Sequence, residues 1–194
     1  MRKNLVTFLT IIVTVALIYG LVLYTGVQGF LFAWMLNFIL MMCVFAFTES
    51  LKAKFISSYY HEKEWEKKGK IYESLGISLY RNLLVWIGWE KLNKKANPVN
   101  NNLQALRLLE HRTKQSELGH LLVLFIVLGF TVYVAVNFGF IESVWLLVLN
   151  IVLNVYPIFL QRYNRPRLRK AIKLSMYKEE RSKINVLPTI IELQ

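Results

Sequence analysis

Four uninterrupted apolar stretches, 5–24, 30–47, 119–140 and 141–160, decide what this chain can become. Each is close to the roughly 20 residues that an α-helix needs to cross about 30 Å of hydrocarbon. No water satisfies the backbone there, so each stretch must be helical. The first three contain no Lys, Arg, Asp or Glu, and the fourth carries only Glu142 near its start. The 55% apolar content of the 194-residue chain is therefore gathered in blocks, with mean hydropathy +0.39. The expected fold is all-α. It is a multi-pass membrane protein with four transmembrane helices, a cytoplasmic amphipathic helical segment over 48–118 and a basic tail over 161–194, forming one membrane domain.

The cations set the orientation. Two precede the first span, 13 fall between 48 and 118, and 9 follow residue 160, which together are all 24 Lys and Arg. The short connection 25–29 and the 140/141 junction carry none. By the positive-inside rule both termini and the middle segment are expected on the cytoplasmic side. The first apolar stretch is too long for a signal peptide and no small-x-small site follows it, so an uncleaved span is expected. The net charge of +12 is then explained by topology and by attraction to anionic lipid, and nucleic acid is not an expected partner. The single cysteine, Cys43, and three scattered histidines provide no metal set and no disulfide framework.

The middle segment has its own texture. From Trp65 to Trp89, charged residues alternate with Tyr72, Leu75, Ile77, Tyr80 and Trp86, a composition suited to the headgroup zone. Asn97, Pro98 and Asn100 to Asn102 mark a turn and a helix cap. From Leu103 the pattern is helical, without a breaker before the third span, so one helix should run from the cytoplasm into the bilayer. The tail reads as a surface helix through Leu168, Ile172 and Met176, with Pro188 expected to end it.

Polar residues recur where a bilayer makes them costly. Asn150, Asn154, Pro157, Gln161, Asn164 and Arg165 share one helical stripe roughly 100° wide. Glu110, Thr113, Glu117 and His120 lie within about 80° on the long helix. Glu117 and His120 stand at the mouth of the third span, and Gln161 and Arg165 at the mouth of the fourth. Antiparallel neighbours would bring them to one depth, where ionisable groups are functional candidates. Two blander readings compete: the asparagines as helix–helix glue, and Glu117 with Arg165 as a structural ion pair beside a bystander histidine.

Ester formation between a hydroxyl and an activated acyl group needs a base and donors aimed at the developing oxyanion. His120 suits the base, Glu117 its orienter, and Asn164, Gln161 or Arg165 the donors. Arg167, Arg169 and Lys170 suit the phosphates of an acyl donor. The stretch His61 to Trp65 opens like a zincin helix but has Trp at the second histidine position, and no phosphate-binding glycine loop or G-x-S-x-G elbow occurs.

Gln161-Arg162-Tyr163-Asn164-Arg165-Pro166-Arg167-Leu168, preceded by Asn154 and Pro157, resembles the bacterial glycosyl-diaponeurosporenoate acyltransferase family. Thr113-Lys114 with Glu117, Leu118 and His120 is similar too, as are Glu66, Gly69 and Tyr72 with Trp89 and Lys91. Together these cover about 66 to 168. Arg112 and Leu121 depart from the family pattern. The resemblance implies an enzyme of the bacterial cell membrane that transfers a fatty acyl group to a membrane lipid or carotenoid glycoside. It implies no bound cofactor, and an acyl-CoA or acyl carrier protein as donor. Asn154, Gln161, Arg162, Arg167, Glu110, Glu66 and Tyr72 are then expected to bind substrate. A non-catalytic lipid-binding or assembly protein using the same polar residues is the competing reading, and the oligomeric state stays open.

Overall fold

The structure, a computed structural model, describes residues 2–51, 54–89, 91 and 102–191. These form helices α1 (Arg2–Thr25), α2 (Gly29–Leu51), α3 (Lys70–Ser74), α4 (Ile77–Trp86), α5 (Leu103–Phe138), α6 (Phe140–Asn150) and α7 (Tyr156–Ile191). A π-turn over Ile151–Val155 joins α6 to α7. Among the described residues there is no strand, as expected of an all-α chain. Four helical stretches are long and apolar enough to cross a membrane: Leu5–Thr25, Gly29–Ser50, Leu103–Phe138 and Phe140–Arg181. The chain is a membrane protein.

The chain divides into two compact units. The first comprises 1–60 and 114–161. Its core repeats at helical spacing: Phe32, Leu36, Leu40 and Val44 of α2 pack with Val123, Val127 and Val134 of α5 and with Leu146 and Leu149 of α6. A methyl group on Gly119 would lie 3.8 Å from Val44 Cγ1, so a small residue lets the two backbones approach. Leu21 is the one buried residue among those of α1 whose burial is described. Leu5, Phe8, Ile12, Val15 and Leu23 face outward, an apolar surface that hydrocarbon, not water, would cover. The break between α5 and α6 sits at Gly139, whose φ of 100° and ψ of 157° are open only to a residue without Cβ.

The second unit comprises 61–113 and 162–194. Tyr72, Ile77, Leu106 and Ile172 are buried in it, whereas Leu79, Trp86, Ile87 and Trp89 are exposed. The expected turn at Asn97-Pro98 with Asn100 and Asn101 lies outside the described residues. Asn102 caps α5 through its side-chain oxygen, which accepts from the Ala105 N–H at 2.7 Å and satisfies one of the helix's orphan donors. From there α5 continues without interruption for 36 residues, as the pattern predicts. The helix end expected at Pro188 is not found, since α7 runs to Ile191. A proline withholds one N–H and displaces one carbonyl, which weakens or bends a helix without obliging it to stop.

Candidate active site

In the first unit a chain of amides crosses three helices. Asn37 of α2 donates Nδ2 to the Ala33 carbonyl at 2.8 Å. Asn150, at the end of α6, donates Nδ2 to the Leu124 carbonyl at 3.1 Å. A carbonyl only accepts, so each of these asparagines must turn its oxygen the other way. Both oxygens meet Asn154, whose Nδ2 lies 2.8 Å from Asn37 Oδ1 and 2.9 Å from Asn150 Oδ1. All three side chains are buried. With both amide protons engaged, the atom that Asn154 offers the His120 ring is its oxygen, Oδ1.

His120 stands next to it. Its ring contacts the Asn154 side chain and the Leu153 backbone. The local sequence explains why that backbone is available. In a regular α-helix the Leu153 carbonyl would accept from the N–H of residue 157, but Pro157 has none. The ladder has already slipped there, as the Tyr156 N–H bonds to the Ile151 carbonyl five residues back, a π-turn of the kind frequent at functional sites. His120 Nδ1 is buried without a partner, so the contact with Leu153 runs through Nε2. In a neutral imidazole that places the proton on Nε2 and the lone pair on Nδ1. Glu117 is fully buried one turn earlier, and Gln161 Nε2 donates to Ser116 Oγ at 3.3 Å.

In the second unit the polar groups saturate one another. Glu66 accepts from the Lys63 N–H at 2.8 Å, from the Tyr72 hydroxyl at 2.6 Å and from Arg162 Nη1 at 2.6 Å. Burial pushes the Glu66 carboxyl up, but the Lys63 N–H, Tyr72 and Arg162 outweigh it and hold it below its ordinary value. Burial, reinforced by that carboxylate, drives the Tyr72 phenol well above its ordinary value. The turn carrying Glu66 is built from left-handed residues, Lys67 at φ 47° and Lys68 at φ 57°, followed by Gly69 at φ 88°. A Cβ on Gly69 would sit 3.1 Å from the Tyr163 carbonyl oxygen, so only glycine lets the turn approach α7.

The other members of the arginine motif are also placed. Arg167 donates to the Tyr163 carbonyl at 2.7 Å and to Glu73 at 3.1 Å, with its guanidinium 3.7 Å from the Tyr163 ring centroid. Arg169 pairs with Glu110 at 3.1 Å. Arg165 is buried and Asn164 half-buried.

A sequence profile described as glycosyl-4,4'-diaponeurosporenoate acyltransferase matches residues 56–174. The chain belongs to this family. The match contains the whole stretch of resemblance from 66 to 168, and both polar clusters draw most of their residues from it. No curated protein and no solved structure matches the chain.

Two groupings of the candidate residues follow. Glu117, His120, Asn154 and Gln161 belong to the first unit, and His120 adjoins Asn154 there. Glu66, Tyr72, Glu110, Arg162, Asn164, Arg165 and Arg167 belong to the second, where Glu66, Tyr72 and Arg162 come together. Among the described residues no group of three His, Cys, Asp or Glu is placed to hold a metal. Sequence reasoning missed Asn37, the Leu153 carbonyl and Ser116. A lone amide in an apolar run was the available signal for Asn37, and a search for charged side chains passes over it. The freed carbonyl was legible from Pro157 by counting back four residues.

Proposed function

We propose that this membrane protein is an acyltransferase that esterifies a hydroxyl of a carotenoid glycoside or a related membrane lipid. The observation that carries the reading is the buried, unpartnered Nδ1 of His120, beside Asn154 in a chain of this family. A general base must present a lone pair and be held in one tautomer. The Leu153 carbonyl beside the ring supports that hold. His120 Nδ1 takes the proton of the acceptor hydroxyl as its oxygen attacks the acyl carbonyl. The new C–O bond forms, the thioester C–S bond breaks, and the proton passes from His120 to the departing thiolate. Gln161, whose amide keeps a second N–H beyond the one given to Ser116, suits the developing oxyanion. An acyl-CoA or an acyl carrier protein is a donor of the right chemistry, since either supplies the thioester. The cation distribution favours a site opening to the cytoplasmic side, with both termini there.

The test is lipid mass spectrometry on cells that make the glycoside, with and without this chain. The expected result is a new species heavier by one fatty acyl group. An unchanged acyl composition with altered lipid distribution would instead favour a binding or assembly protein.

A further inference from the structure

Helix α4 turns most of its apolar side chains away from the protein. Ile77 is buried and Tyr80 and Leu84 are half-buried, and these three form its inward face. Leu79, Leu83 and Trp86 lie within about 60° of one another, some 120° round the helix from that face. Leu79 is 76% and Trp86 84% exposed, and the exposed Ile87 and Trp89 continue the surface past the helix end. Ser78, Arg81 and Asn82 take the remaining side, also exposed, with Val85 the one apolar residue among them. Water penalises a contiguous apolar surface of this kind.

We propose that α4 is a membrane-surface anchor. It lies flat in the headgroup zone of an anionic leaflet, with Leu79, Leu83, Trp86 and Ile87 in the acyl boundary and Arg81 on lipid phosphate. Ten residues rise only about 15 Å, half of the roughly 30 Å of hydrocarbon, so α4 is not a fifth span. Leucine with tryptophan on one side and polar residues on the other is the composition of an interfacial helix. The charge is complementary as well. Glu66, Glu73 and Glu110 are taken by Arg162, Arg167 and Arg169. Arg81, its guanidinium 5.9 Å from the Tyr163 ring centroid, pairs with no carboxylate among the described residues. A chain that spans the membrane also holds its own lipid at high local concentration. The anchor thereby fixes the depth of its unit in the leaflet.

The experiment places a nitroxide on single cysteines of the full chain, with the native thiol removed as Cys43→Ala, in nanodiscs of equal parts phosphatidylcholine and phosphatidylglycerol. Collisions with oxygen, which concentrates among acyl chains, are compared with collisions with a neutral nickel chelate, which stays in water. Labels at Leu79→Cys, Leu83→Cys and Trp86→Cys should favour oxygen, and labels at Ser78→Cys and Asn82→Cys the chelate. Arg81→Gln, or phosphatidylcholine alone, should raise the water-exposed fraction of the Leu79 label about fivefold, the worth of one arginine near anionic lipid. If Trp86→Cys does not fold, Ile87→Cys takes its place. Equal chelate access at every position overturns the proposal and shows a surface bathed in water. Low access to both reagents overturns it too: dipolar coupling between labels then identifies a second copy as the cover, and its absence the chain's own residues. A leaflet contact unmoved by Arg81→Gln and by loss of phosphatidylglycerol overturns the role of Arg81.

Discussion

The amide chain of the first unit and the carboxylate cluster of the second bury polar side chains to opposite effect. Around Glu66 every demand is met: one carboxylate takes three donors, one of them a guanidinium. Around Asn154 the amide protons go to Asn37 and Asn150, the oxygen faces the His120 ring, and His120 Nδ1 is left without a partner. A charge cannot be buried without partners, so the ionic cluster is complete and acts as a clamp between the 63–72 turn and α7. An amide tolerates partial satisfaction at far lower cost. The amide cluster is the one that adjoins the histidine.

The comparison can be broken most forcefully at Arg162. Arg162→Met leaves the buried Glu66 without its cation, held only by the Lys63 N–H and the Tyr72 hydroxyl, and should cost about 3 kcal/mol in denaturant unfolding, whereas Arg162→Met with Glu66→Gln should recover part of it. Gly69→Ala should cost about 1–3 kcal/mol by the same measurement, from the strained φ and the close Tyr163 carbonyl. Unfolding as a function of pH separates the clusters further. Glu66, lowered in the fold, contributes stability that is present above its ordinary value of 4.5 and fades as pH falls below it. That acid limb should flatten in Glu66→Gln. Tyr80, pushed up to about 12 by burial, contributes stability that is lost as pH rises above 10, and Tyr80→Phe should flatten the alkaline limb. The smallest effect is expected at Asn150→Leu, about 0.6 kcal/mol for one interhelical hydrogen bond, because the amide chain carries little of the stability.

Much of this was legible in the sequence because hydrocarbon leaves few choices. The apolar stretches 5–24 and 30–47 could only be helices, and the unbroken pattern from Leu103 could only be one long helix. The polar stripe through Asn150, Asn154 and Gln161 was visible at helical spacing. Its partner Asn37 was not, because a contact between residues 117 positions apart leaves no periodic trace. Glu66 and Tyr72 were recognisable as family residues, yet only their geometry shows them holding Arg162. The Leu153 carbonyl beside His120 went unseen for a similar reason. A carboxylate one turn away is easy to see in sequence, whereas a main-chain carbonyl released by Pro157 on another helix has no letter of its own.

The central claim is that His120 is the base of an acyl transfer. Its most direct test is the rate of ester formation by purified His120→Asn in nanodiscs, compared with wild type at the same unfolding midpoint, using the glycoside and a long-chain acyl-CoA. The account expects wild-type turnover and a folded variant at least about 100-fold slower, the usual minimum for losing a general base. A folded His120→Asn that forms the ester at the wild-type rate contradicts it.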